Sequence, residues 1–167
     1  MAHLTTLDDL FARKLRHVYD AEQRLTKALP KLEESARSFA LKQAIEAHQM
    51  ETQTHVARLE QLFGILGTKP DADTDDAIKG LINAAGDMAG LHGDDAVRDA
   101  AIISAAQEAE HYEIAAYGTL RTWARILGHG EGAQLLERTL EEEKKADQKL
   151  TEIAGALNLQ AATSHAR

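Results

Sequence analysis

Along most of the chain apolar residues recur every three or four positions, the period of an amphipathic α-helix. The first stripe runs through Leu7, Leu10 or Phe11, Leu15, Val18, Leu25, Leu29 and Leu32. Thr6 stands just before it with Asp9 three residues on, a capping-box pairing that predicts the helix start. Pro30 lies inside the stripe and predicts a kink in a continuing helix, with a polar break at 35–38. The second stripe, Leu41, Ile45, Thr52, Leu59, Leu62 and Leu66, stops at Gly67 with Pro70 beyond. Residues 68–76 are acidic and turn-rich and read as a loop, and 77–91 as a shorter helix weakened by Gly80, Gly86 and Gly90. Gly93, Asp94 and Asp95 open a third long helix that reaches Leu127. Gly128, His129 and Gly130 break it, and a fourth long helix spans about 131–157 before a tail over 158–167 that is expected to fray.

Two long helical hairpins joined by a long connection make an all-α fold with the connectivity of a ferritin-like four-helix bundle. The short helix at 77–91 becomes an extra element in the crossover between the second and third long helices. The expected organisation is one bundle domain over 1–160 and a frayed tail over 161–167.

Composition agrees with helices and narrows the chemistry. The 167 residues are 44% hydrophobic and 28% charged, and proline occurs only twice. With 27 acidic against 19 basic side chains the formal charge is −8, which disfavours direct binding to nucleic acid or to an anionic membrane. No apolar run has the length of a membrane span and the N-terminus lacks a signal-peptide pattern, so a cytoplasmic protein is expected. There is no cysteine, which leaves oxygen and imidazole as the only ligands for a metal.

Several charged residues fall on the apolar face. Glu22 sits between Val18 and Leu25 in the first stripe. His48 and His55 continue the second, with Glu51 at its border. Glu110, Glu113 and Tyr117 interrupt the stripe of Ile103, Ala106, Leu120 and Leu127, and Glu143 and Asp147 lie among Leu136, Leu140, Leu150 and Leu157. A carboxylate in a bundle interior is costly unless it is paired or bound to a metal. One alone reads as a solvated residue, but all four long helices carry at least one.

Depth supports a shared purpose. Residues 22 and 51 are equidistant from the break at 35–38, and 110 with 143 or 147 from the turn at Gly128. Packing the two hairpins together therefore gathers six carboxylates and two imidazoles at one level, enough to bind two divalent ions. Tyr19 and Tyr117 are placed to hydrogen-bond a ligating carboxylate from behind. Glu108, Glu141 and Glu142 read as solvated surface, His111 as off-axis, and His3, His17, His92, His129 and His165 stand apart from the cluster.

At these residues the chain resembles the YciF/YciE-like family of bacterial ferritin-like proteins. The stretches that carry the resemblance are YDAEQRLTKALPKL (19–32), HQMET (48–52), VRDAAIISAAQEAEHYEIAAYGTL (97–120) and LEEEKKADQKLTEIA (140–154). The resemblance implies a four-helix bundle with a short crossover helix, a homodimer, a link to stress responses and a dinuclear centre. Iron is the metal it implies first, with manganese or zinc as alternatives. Carried over by position, the ligands are Glu22, His48, Glu51, Glu110, Glu113, Glu143 and Asp147, with His55 outside the family pattern. The chain departs from the usual Glu-x-x-His pairs of di-iron bundles, since Thr54 and Ala146 occupy the positions three after Glu51 and Glu143. Three functions follow: an oxidoreductase acting on oxygen, peroxide or ferrous iron through an unidentified electron donor, a metal-storage cage, or a non-enzymatic stress or interaction protein with a structural carboxylate cluster.

Overall fold

The structure, a computed structural model describing residues 4–163, contains five α-helices and no strand among those residues. They are α1 (Leu7–Ser35), α2 (Phe39–Ile65), α3 (Asp76–Ala89), α4 (Asp95–Ile126) and α5 (Gly130–Thr163). His3 and His165 lie outside the described residues. The capping box at the start of α1 is present, with Thr6 Oγ1 accepting from the Asp9 N–H at 3.1 Å and the Asp9 carboxylate from the Thr6 N–H at 3.0 Å. The helix runs on through Pro30 to Ser35. Its successor begins two residues before Leu41, because Ser38 supplies the N-cap. At the far end α5 continues past Leu157, its last buried leucine, so residues 158–163 are helical although they hold no core position.

Just past the ends of α2 and α4 the chain uses glycine for a backbone that an L side chain rarely adopts. Gly67 has φ +69° and Gly128 φ +80°. At each, two N–H groups reach back to close the helix: Gly67 to the Gly64 carbonyl and Thr68 to Phe63, then Gly128 to Arg125 and His129 to Ala124.

The helix pairs α1 with α2 and α4 with α5 pack together, and α2 against α5 and α1 against α4 complete the contacts among the four long helices. The shorter α3 lies on α4 and α1. Its start is held by Asp75, which caps it through the Ala77 and Ile78 N–H groups and accepts a hydrogen bond from the Tyr112 hydroxyl. The Asp75 N–H in turn donates to Asp20 on α1 at 3.0 Å.

The buried apolar residues form two clusters rather than one. The first gathers Phe11, Leu15, Val18, Leu62, Leu120 and Leu136 near the 67 and 128 turns. The second gathers Leu25, Leu29, Leu41, Ile102, Leu150 and Ile153 towards the α1–α2 break. Between them runs a layer of buried polar residues: Glu22, His48, Thr52, His55, Glu110, Glu113 and Glu143.

The α1–α2 break is fixed by an acidic residue absent from the apolar-face reading. Asp99 on α4 is buried and accepts hydrogen bonds from the Arg37 N–H at 2.8 Å and the Ser38 N–H at 2.5 Å. It thereby satisfies orphan donors at the start of α2 and ties the two hairpins together. Replacing Asp99 by Ala leaves those donors unpaired and is expected to lower unfolding free energy by about 1–3 kcal/mol, read from urea denaturation, with Asp99→Asn losing less.

Candidate metal centre

Each residue of the polar layer is delivered by the helical period that also builds the apolar face. Glu22 follows Val18 by four and precedes Leu25 by three, so it shares their side of α1 and is 1% exposed. His48 and His55, seven apart, bracket the buried Thr52 on α2. Glu110, Glu113 and Tyr117 line one side of α4, and Glu143 lies fully buried on α5.

Two overlapping groups result. One donor atom from each of His48, Glu110, Glu113 and Glu143 lies within 4.8 Å of the others, and the same holds for Glu22, His55 and Glu143. Glu143 belongs to both. His48 Nε2 is 3.2 Å from Glu110 and 4.0 Å from Glu143. His55 Nδ1 is 3.0 Å from Glu143 and 3.4 Å from Glu22. The Tyr117 hydroxyl donates to Glu22.

These side chains approach one another without completing hydrogen bonds. Both Glu143 oxygens, Glu110 Oε2, Glu113 Oε1, and the Nδ1 atoms of His48 and His55 are buried without a partner. Native interiors leave few such atoms. A set of lone pairs converging on common points suits a cation, and oxygen with imidazole suits iron, manganese or zinc. The residues present therefore fit a metal ion.

Both imidazoles carry a carboxylate on the side away from the centre. His55 Nε2 lies 3.0 Å from Glu142. Arg58 grips both Glu142 oxygens, one at 2.9 Å, and also reaches the Thr139 hydroxyl at 3.2 Å. Glu142 favours a proton at Nε2, so a metal ion that displaces the second proton would meet the Nδ1 lone pair of His55. His48 Nδ1 faces Glu51 at 3.8 Å, beyond hydrogen-bond length.

The sequence-derived set divides accordingly. The structure brings together Glu22, His48, His55, Glu110, Glu113 and Glu143, with Tyr117 against Glu22. Glu51 stands behind His48 with its side chain 44% exposed. Asp147 accepts from the Gln107 amide at 3.0 Å and lies 3.5 Å from His111, nearer the surface. Tyr19 turns away and donates to Glu60 at 2.8 Å. Glu142 and Arg58 were missed: Glu142 is not simply solvated, and its sequence signal was only that it adjoins Glu143. His17, expected to stand apart, sits between Asp73 and Asp75 at 3.5 and 3.6 Å.

Burial sets the protonation of the layer. It raises Glu22, Glu110 and Glu113, the last two well above the usual carboxylate range, and the neighbouring carboxylates raise Glu110 and Glu113 further. Burial alone would lower His48, but the charge of Glu110, with Glu51 and Glu143, outweighs it and pushes the imidazole up to about 9. His55 is opposed by burial likewise and pushed up to about 11 by Glu143 and Glu22. For Glu113 burial is joined by the charges of Glu143, Glu22 and Glu110, which all raise it.

Two clefts reach the layer. One of about 1060 Å³ runs between α1, α3 and α4 down to His48, Glu110 and Glu113. The other, about 290 Å³, opens between α2 and α5 beside Glu51, Lys145 and Lys149 and meets His48 and Glu110.

The chain matches the family described as a domain of unknown function (DUF892) over residues 6–163. It is 42% identical to Protein YciF of Escherichia coli strain K12 over 153 residues, 91% of this chain and 92% of that protein. The chain belongs to this family. The crystal structure of the E. coli stress protein YciF superposes with a TM-score of 0.89, covering 92% of this chain and 98% of that one. The YcfI protein of Rhodopseudomonas palustris, 48% identical, superposes at 0.86 over 88% of this chain and 94% of its own. A two-domain protein from Anabaena variabilis with a ferritin-like domain shares the fold, at 19% identity and a TM-score of 0.61, over 91% of this chain and 37% of its own length. No helix of this DUF892 chain is long and apolar enough to cross a membrane among the described residues.

The protonation pattern gives this family member a distinctive pH response. In metal-free protein the stabilisation from protonated His48 is complete below its ordinary value of 6.5 and is lost as pH rises to about 9. The raised carboxyls act in the same direction from 4.5 upward. Metal binding requires the opposite protonation states. The Tm of metal-free protein is therefore expected to fall between pH 6.5 and 9, while the increase on adding manganese grows over that interval. Thermal melts with and without metal check both trends.

Proposed function

We propose that this chain is a ferritin-like dinuclear metal-binding protein of stress physiology, built as a four-helix bundle with α3 as the extra crossover helix. The observation that carries the reading is Glu143, fully buried and shared by two ligand groups, with neither of its oxygens hydrogen-bonded. In this reading His48, Glu110 and Glu113 hold one ion, Glu22 and His55 hold the other, and Glu143 lies between them. Iron is the preferred metal, with manganese or zinc as alternatives. Two redox-active ions would pass electrons to oxygen or peroxide and take them from ferrous iron or another donor. The chain's own residues would orient the ligands from behind, through Tyr117 on Glu22 and Arg58–Glu142 on His55. The stress assignment is supported by the similarity to E. coli YciF, described as a stress protein. We further propose a homodimer acting in the cytoplasm.

A second reading has an observation in its favour. The raised values at His48 and His55, about 9 and about 11, make both imidazoles cationic near neutrality, so they compensate part of the buried charge without metal. That would be a structural, non-enzymatic cluster. Against it stand the buried oxygens of Glu110, Glu113 and Glu143 that no hydrogen bond satisfies.

Elemental analysis of protein purified from its native host separates the two. The metal reading expects two ions per chain and their loss in a Glu22→Ala, Glu143→Ala variant. Metal retained in that folded double variant contradicts the site, and metal-free protein whose Tm ignores iron, manganese and zinc establishes the structural reading. A second substitution sharpens the contrast. Glu143→Leu removes the carboxylate that faces both imidazoles and is expected to lower the metal-free Tm. Under the metal reading it also abolishes the rise in Tm on adding metal, a rise that the structural reading does not have to lose.

A further inference from the structure

The larger cleft has features that metal access alone does not need. Along α1 it follows the helix from Asp20 to Ser35, about 22 Å at the rise of an α-helix. Its volume, about 1060 Å³, is at the upper end of small-molecule sites and far beyond a hydrated ion. The floor is aliphatic, made by Leu25, Leu29 and Leu32 of α1 with Ala106 and Ala109 of α4. The roof is the apolar side of α3, where Leu81, Ile82 and Ala85 are only half-buried although the helix is anchored at Asp75. These side chains pack against the second apolar cluster and also line the cleft.

The rim is of the opposite character. Lys27 and Lys31, one turn apart on α1, and Lys79 on α3 border the opening and are exposed. Among the described residues none of the three ammonium groups has an ion-pair partner. Arg24 is already taken by Asp20 at 2.6 Å, and Asp87 is the one unpaired carboxylate on the rim. A chain with formal charge −8 thus concentrates unpaired positive charge at the mouth of an aliphatic trough.

We propose that this cleft binds a single-chain amphiphile with an anionic head group, an aliphatic carboxylate. The hydrocarbon chain lies on the leucine and alanine floor beneath α3, the head group sits among Lys27, Lys31 and Lys79, and the chain runs along the trough whose inner end is Glu110 and Glu113. The idea that this occupant is presented to a metal centre rests on the function proposed above; its binding does not. The apolar contact supplies affinity and the lysines select the sign of the head group.

Isothermal titration of the full chain with decanoate, below its micelle-forming concentration, tests this. Saturable binding of one decanoate is expected, with no comparable binding of decyltrimethylammonium. Lys27→Glu with Lys31→Glu is expected to weaken decanoate by about tenfold or more, and Ala85→Trp, which fills the trough from its α3 roof, to abolish it. Circular dichroism establishes that each variant is folded. Equal binding of the cationic amphiphile, unchanged affinity in the lysine variant, or decanoate uptake that dissociates a dimer overturns the proposal, the last by assigning the cleft to a second copy of the chain. Running the titration beside manganese uptake keeps the two claims apart. Decanoate binding by a protein that takes up no manganese upholds the cleft and sinks the metal reading, and manganese uptake without decanoate binding does the reverse.

Discussion

The fold is organised around one costly arrangement, four carboxylates buried in a single layer between two apolar clusters. Bringing ionised carboxylates out of water and next to one another is unfavourable twice, by desolvation and by mutual repulsion. The two imidazoles relieve part of this for Glu22, Glu110 and Glu143. At Glu113 burial and the neighbouring carboxylates all act to keep the proton on. A bundle of this length could bury leucine at every one of these positions and be more stable, so the layer is a functional expense that the apolar clusters on either side must offset.

That expense explains how rigidly the layer is framed. Every residue of the layer is on a long helix, and the ends of those helices are closed by specific devices: the Thr6–Asp9 capping box, the positive-φ Gly67 and Gly128, and the Asp99 clamp on α2. A slip of one residue in any helix would rotate its carboxylate by about 100° and out of the layer. The Arg58–Glu142–His55 chain extends the frame outward to the surface of α2 and α5. The α3 segment plays a different part. It is held at its start by Asp75 and at its end by Arg98, which donates to the Ala89 carbonyl at 3.3 Å, and the cleft beside it reaches Glu110 and Glu113 on α4.

Much of this was legible in the residue pattern, because helical period and antiparallel depth are short-range geometry. The stripes located five helices, the glycines at 67 and 128 their turns, and the apolar context of Glu22, His48, Glu110, Glu113 and Glu143 their burial. What pattern could not weigh was the reach of side chains. Glu51 is three residues from His48, about 60° round the helix, enough to put it behind the imidazole rather than beside it. Asp147, a turn beyond Glu143, meets Gln107, and only the partner's identity reveals that. Tyr19 and Tyr117 looked equivalent, yet Tyr19 faces Glu60 and Tyr117 faces Glu22. Glu142 and Arg58 were invisible because both are exposed by helical position and become part of the site through long side chains that fold back over His55.

The central claim is that two ions share Glu143. Anomalous scattering from crystals of manganese-loaded protein, collected at the manganese edge, tests it most directly. Two peaks are expected roughly 3.5–4 Å apart, one bordered by His48, Glu110 and Glu113, the other by Glu22 and His55, with Glu143 between them. A layer without a peak, or peaks confined to Glu51 and Asp147 outside it, would contradict the account.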